Sequence, residues 1–138
     1  PLEDGEVLQD YLKELEQIVT DVTRSNRVSF GSLGERLGEA LASLSEASAW
    51  LGEALRSNPQ AALAGATPYL KLFGITAGGC YLARGALAAE EHGEDRERAI
   101  DLARFFAENI AVQAPGLSVS ITEGADSLLE VPLKRYSA

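Results

Sequence analysis

Hydrophobic residues recur with a helical period in the first 25 residues of the chain. They stand three or four positions apart, and most of the charged residues lie between them, which is the pattern of a helix with one exposed side. We therefore predict a helix over Glu3–Ser25, with Asp4 as its N-cap. The apolar side consists of Val7, Leu8, Tyr11, Leu12, Leu15, Ile18, Val19 and Val22.

A second helix is predicted from Leu33 to about Ser57. Leucines recur there with a helical period, and charged residues occupy the opposite side. Ser32 and Glu35 fit a capping box, in which each side chain bonds the other residue's backbone amide. Trp50, the one tryptophan of the chain, is expected at the edge of the apolar side.

The third predicted helix has no polar side. Asn58 suits an N-cap and Pro59 suits the first helical position, and we extend the helix to about His92. A kink is expected at Pro68, because an internal proline removes one hydrogen bond and crowds the preceding turn. The stretch Tyr69–Ala89 carries only two charges. A helix that is apolar nearly all round is buried by its neighbours, so the rest of the chain is expected to surround this one.

Four glycines interrupt this stretch, at Gly74, Gly78, Gly79 and Gly85. Each lowers helix stability by up to about 1 kcal/mol relative to alanine, so a compensating contact is expected. The usual one is the close approach of another backbone, and packing inside the chain, contact with another domain or subunit, and a ligand site remain open as alternatives. Arg84 is expected either to reach the surface or to pair with an acid. Gly74, Gly78, Gly79 and Arg84 are the candidate packing or interface residues.

The last third of the chain predicts a long helix and a short one. The fourth helix covers Arg96–Gln113 and ends at Ala114–Gly116, and Leu117–Ile121 alternates in a way that suits an extended segment. A capping box at Ser120–Glu123 introduces a short helix over Ala125–Val131. Leu128 and Leu129 are expected to dock on the bundle, Pro132 to end the helix and Leu133–Ala138 to form a tail.

Together these elements predict one all-α domain over residues 1–138. Long helical patterns joined by short connections are typical of an up-and-down four-helix bundle. In this chain the third helix is kinked and rich in glycine, and a short helix follows the fourth. Gly93 is expected to be the C′ residue that ends the third helix.

Charge and cysteine content exclude several classes of protein. The formal net charge is −9, which argues against a nucleic-acid-binding protein. Lys71 and Arg84 make a membrane span through the apolar stretch unfavourable. The first twenty residues do not resemble a signal peptide, and the single cysteine, Cys80, cannot form an internal disulfide, so a cytoplasmic location is expected. Cys80 is expected to act as a small buried hydrophobic residue.

Catalytic motifs are not found. Gly78 and Gly79 lie inside a helical pattern, so they do not form a phosphate-binding loop between a strand and a helix. His92 is the only histidine, and the acids around it fit a solvated turn better than a metal site, because no second histidine is present. A small carboxylate-bridged metalloprotein is therefore a weak alternative. We assign no catalytic, cofactor-binding or metal-binding residue.

Several short motifs, in order and correctly spaced, resemble the C-terminal extension of one branch of the acyl-CoA dehydrogenases. The resemblance covers nearly the whole chain, and it departs from the family where Cys80 stands in place of a frequent aromatic residue. The matching motifs are Pro68-Tyr69-Leu70, Leu72-Phe73-Gly74, Gly78-Gly79, Leu82-Ala83-Arg84, Ala86-Leu87, Ala103-Arg104-Phe105-Phe106-Ala107-Glu108 and Gly124-Ala125-Asp126-Ser127-Leu128-Leu129.

The resemblance implies the accessory helical domain of an FAD-dependent oxidoreductase of fatty acid metabolism. Such enzymes oxidise an acyl-CoA to the 2,3-enoyl-CoA and pass electrons to an electron-transfer flavoprotein. Their catalytic glutamate and flavin-contacting segments have no counterpart here, so no active-site residue is carried over. Because the chain begins at Pro1 and contains no methionine, we expect a fragment whose partners are upstream dehydrogenase domains and further copies in a homo-oligomer. The alternative is a free-standing helical interaction module without enzymatic activity.

Overall fold

Helices joined by short connections make up the fold. The computed structural model describes residues 2–89 and 93–130, except for the side chains of residues 2–4, 128 and 129. The predicted all-α bundle is confirmed, and the described residues contain no strand. The helices are α1 (Leu2–Ser25), α2 (Leu33–Ser57), α3 (Pro59–Ala88), α4 (Glu94–Asn109) and α5 (Ala114–Glu130), with 3₁₀ turns at Val28–Phe30 and Ala111–Gln113.

The first two helices form where predicted, but their predicted caps are wrong. α1 begins at Leu2, so Asp4 lies inside the helix and is not its N-cap. Ser32 does precede α2, yet its side chain makes no capping bond. Its Oγ instead donates to Oε1 of Glu108 at 3.2 Å. A contact with α4, 76 residues along the chain, replaces the local capping box.

α3 is one continuous helix of 30 residues. Oδ1 of Asn58 accepts a hydrogen bond from the backbone N–H of Ala61 at 3.3 Å, which confirms the predicted start. The helix continues through Pro68 and ends at Ala88, four residues before the predicted end. The kink at Pro68 stays a prediction, and His92 lies outside the described residues.

The role predicted for Gly93 is also wrong. Gly93 has a φ of 144° and precedes α4 as its N-cap, so it is not the C′ residue of α3. A φ in this region favours glycine, since it has no Cβ. Three acids in the first turn of α4 suit the positive end of the helix dipole.

The break after α4 lies earlier than predicted. The chain turns at Ala111–Gln113, and Pro115 and Gly116 belong to the first turn of α5, where proline is well tolerated. The prediction of an extended Leu117–Ile121 is wrong, because the segment is helical and Ile121 is fully buried. The second capping box is wrong as well, since Ser120 lies inside α5. The short helix predicted at Ala125–Val131 is the second half of α5, while the docking of Leu128 and Leu129, Val131, Pro132 and the tail lie outside what the structure describes.

α3 lies at the centre of the fold, and the other helices pack along its length. Leu37, early in α2, lies beside Gly79, late in α3, whereas Trp50, late in α2, lies beside Gly65, early in α3. The two helices are therefore antiparallel. Phe106 of α4 lies beside Gly78, and Ile121 of α5 lies beside Gly65. The apolar stretch is thus only partly enclosed, because Leu70 and Gly74 stay exposed although four helices pack on α3. The up-and-down order of the whole bundle stays a prediction. The largest fully buried side chains are Leu15, Leu33, Leu37, Leu44, Leu72 and Ile121.

Candidate functional site

Gly79 is the most tightly enclosed glycine of α3. A Cβ placed on it would lie 2.7 Å from Cδ2 of Leu37 and 3.4 Å from Cδ1 of Phe106. Leu37 is itself fully buried. At Gly79, therefore, α2 and α4 occupy the space that a side chain would need.

The other three glycines of the apolar stretch lie in different surroundings. A Cβ on Gly78 would meet Cζ of Phe106 at 3.4 Å, an ordinary tight contact. Gly74 and Gly85 are exposed, and no atom lies within 4 Å of a Cβ placed on either of them. The glycines thus divide into an inner pair, Gly78 and Gly79, and an outer pair, Gly74 and Gly85.

Aromatic side chains line the contact between α1 and α3. The rings of Tyr11 and Phe73 stack with centroids 5.3 Å apart, and the ring of Tyr81 meets Tyr11 edge-on at 6.4 Å. The hydroxyl of Tyr69 shares a hydrogen bond of 2.8 Å with that of Ser48. Burial is the main cause that raises the pKa of Tyr11 to about 12. This group packs α1 against α3.

Arg84 lies at the end of this aromatic group. Its guanidinium carbon is 4.6 Å from the ring centroid of Tyr81, and its Nη1 is 3.5 Å from Oε1 of Glu14. The Arg84 side chain is 56% exposed and that of Glu14 is 49% exposed. Both sequence alternatives for Arg84 therefore apply, since it reaches the surface and also pairs with an acid.

Cys80 is fully buried and has no disulfide partner, as its setting in the sequence predicts. Burial raises the pKa of its thiol from 9.0 to about 12. The thiol is therefore neutral at physiological pH, and a neutral thiol is a poor nucleophile and a poor metal ligand. Cys80 acts as a core residue.

Among residues 2–89 and 93–130, no group of three or more His, Cys, Asp or Glu side chains is placed to hold a metal ion. The hydroxyls of Thr76 and Ser118 are buried without a hydrogen-bond partner, one on α3 and the other on α5. They line neither the groove between α1 and α2 nor the groove between α3 and α5. Within the same described residues, no helix is long and apolar enough to cross a membrane.

These two grooves do not fit a flavin dinucleotide. A groove of about 410 Å³ between α1 and α2 has Lys13 and Glu16 as its charged residues, and one of about 470 Å³ between α3 and α5 has none. The diphosphate of FAD needs cationic side chains or a set of free backbone amides, as at the first turn of a helix. Neither groove provides them, so no cofactor chemistry is assigned to these residues.

Comparison with known proteins identifies the family. A sequence model described as "Acetyl-CoA dehydrogenase C-terminal like" matches residues 7–132. The chain belongs to this family. No curated protein and no solved structure matches the chain. As a member of the acetyl-CoA dehydrogenase C-terminal-like family, it is a C-terminal domain related to the acyl-CoA dehydrogenases, which confirms the resemblance inferred from its motifs.

The structure places the four residues singled out from the sequence on different sides of α3. Gly78 and Gly79 face α4 and α2, Gly74 faces solvent, and Arg84 faces α1. The motif analysis missed two other groups. One is the aromatic contact of Tyr11 with α3, which joins residues 62 and 70 positions apart and leaves no local signal. The other is the exposure of leucines on α3. Because α3 has no polar side, its sequence does not show which of its leucines face solvent.

Proposed function

We propose that this chain is the accessory C-terminal domain of an FAD-dependent acyl-CoA dehydrogenase, and that it supports domain packing or oligomer assembly without taking part in the chemistry. The family match over residues 7–132 is the observation that carries the proposal.

The proposal assigns the reaction to upstream domains of the parent polypeptide. Those domains would bind FAD and an acyl-CoA, form the 2,3-enoyl-CoA and transfer electrons to an electron-transfer flavoprotein. This domain would contact them, or a second subunit of a homo-oligomer, through α3. Gly74 and Arg84 are exposed and could touch the partner directly, whereas Gly78 and Gly79 would act through the packing of α3 on α4 and α2. We also propose a cytoplasmic location, on the basis of the single cysteine.

Deletion of the domain from the parent enzyme tests the role. The complete polypeptide and a version lacking residues 7–132 are purified, and flavin content, oligomeric state and turnover per bound flavin are measured. We expect the complete protein to bind flavin and oxidise acyl-CoA. The shortened protein should retain the chemistry at its remaining flavin but lose assembly or flavin occupancy. A complete polypeptide without flavin or acyl-CoA oxidation would contradict the proposal.

A substitution in α3 tests which contact is involved. A leucine at Gly78 would collide with Phe106, whose Cζ would already be 3.4 Å from a Cβ. Gly78→Leu in the parent enzyme should therefore disturb assembly, flavin content or turnover through the α3–α4 contact. Unchanged values for all three would show that this part of α3 does not transmit the effect of the domain.

A further inference from the structure

One side of α3 is apolar and has no partner among residues 2–89 and 93–130. Leu63, Thr67, Leu70 and Gly74 follow one another at helical spacing, and we call them the α3 outer strip. The side chains of Leu63 and Leu70 are 78% and 71% exposed. Gly74 is exposed too, with no atom within 4 Å of a Cβ placed on it.

The fold itself does not account for the composition of this strip. At Gly79 a side chain would press on Leu37, so the lower helix stability of glycine has a local compensation. At Gly74 nothing in the described residues would meet a side chain, and alanine would favour the helix. A glycine beside two exposed leucines is the arrangement that lets a second helix approach closely.

The charged residues of α3 indicate which charges a partner helix could carry. Pro59–Ala88 contains no Asp or Glu, although the chain has 21 of them, and Lys71 stands exposed beside the strip. A partner helix could therefore lie on the strip without bringing its own carboxylates against acids of α3. A carboxylate on the partner would find Lys71 as its counter-charge.

The size of the strip decides between a second copy of the chain and a tethered partner. Its ends are 11 residues apart, about 17 Å at roughly 1.5 Å per residue, and a helix is about 10 Å wide. The area is then roughly 170 Å², against about 800 Å² on each partner in a stable interface between separate proteins. So small a contact forms readily only when a covalent connection keeps the local concentration of the partner high.

We infer that the α3 outer strip docks an amphipathic helix of the dehydrogenase core to which this domain is joined. The apolar side of that helix covers Leu63, Leu70 and Gly74, and a carboxylate on its edge faces Lys71. This inference rests on the proposed function and adds to it the surface and the kind of partner. It assigns the contact to the outer glycine, Gly74, and leaves Gly78 and Gly79 to packing inside the domain.

Thiol labelling at an introduced cysteine tests this directly. Leu70→Cys is prepared in chain 1–138 and in the complete parent polypeptide, and each is compared with the unsubstituted protein, in which Cys80 is buried. Leu55→Cys is the matched control, because Leu55 is an exposed leucine (63%) that belongs to α2 and not to the strip. We expect labelling at position 70 to be at least about tenfold slower in the parent than in chain 1–138, since a docked surface reacts only after local opening. Labelling at position 55 should be equal in both.

Two outcomes would overturn the inference. Equal labelling at position 70 in the two proteins would show that nothing covers the strip. Chain 1–138 that sediments as a dimer, with position 70 protected at that concentration, would identify a second copy as the occupant. Flavin content and acyl-CoA oxidation of the same parent sample separate this result from the proposed function. An active flavoprotein with an unprotected strip contradicts the docking inference alone, whereas a parent without flavin contradicts both.

Discussion

Replacing Gly79 by alanine measures how tightly α3 is enclosed. The new Cβ would lie 2.7 Å from Cδ2 of Leu37, which is fully buried and has to move. Such overpacking costs typically about 1–3 kcal/mol. Alanine also gains up to about 1 kcal/mol over glycine in a helix interior. Gly79→Ala is therefore expected to destabilise the domain by a net amount of about 0–3 kcal/mol.

Gly74→Ala is the matched control for this experiment. Both positions are interior residues of α3, so the gain in helix propensity is similar, but a Cβ at Gly74 meets no atom within 4 Å. Gly74→Ala should stabilise the isolated domain by about 0.5–1 kcal/mol. The difference between the two variants then equals the overpacking term, about 1–3 kcal/mol.

Urea unfolding followed by circular dichroism gives both free energies of unfolding. A second substitution, Leu37→Val, shortens the obstructing side chain and should cost less in the Gly79→Ala background than in the wild type. A Gly79→Ala domain as stable as the Gly74→Ala domain would refute the close approach of α2. An additive Leu37→Val effect would show that Leu37 is not the residue that resists the new methyl group.

Three further predictions concern the thiol, a helix cap and an ion pair. Burial raises the pKa of Cys80 from 9.0 to about 12, so the stability that the neutral thiol provides should be complete below pH 9 and be lost as the pH rises towards 12. Urea unfolding at several pH values should therefore show a smaller loss of unfolding free energy with rising pH for Cys80→Ala than for the wild type. Asn58→Ala removes the N-cap bond of α3 and should cost about 1 kcal/mol in urea unfolding. A double-mutant cycle on Arg84 and Glu14, both about half exposed, should give a coupling below about 1 kcal/mol.

The positions of the first three helices could be read from the sequence, because their signals are local. A regular apolar side marks α1 and α2, and the pair Asn58-Pro59 marks the start of α3. The end of α4 could not be read in this way, since Pro115 fits the first turn of a helix as well as a break between helices. The alternation over Leu117–Ile121 is too short to outweigh the burial of Ile121 against α3.

The surroundings of the glycines could not be predicted from the sequence. The reason is that α3 is apolar on nearly all sides, which is also the feature that distinguishes it from the other helices. A helix with a charged side shows which residues face inward, whereas α3 carries two charges in its apolar stretch and gives no such indication. Only the packing of Leu37 and Phe106 distinguishes the enclosed Gly79 from the open Gly74. Likewise, Ser32 matched a capping box, but Glu108 of a distant helix offered its side chain a different acceptor.

The most direct test of the central claim is the sequence of the gene upstream of Pro1. If this chain is the accessory domain of a dehydrogenase, the reading frame continues upstream for several hundred residues and encodes an acyl-CoA dehydrogenase core with its catalytic glutamate and flavin-contacting segments. A start codon at this position, with no such core in frame, would contradict the account and would indicate a free-standing helical interaction module.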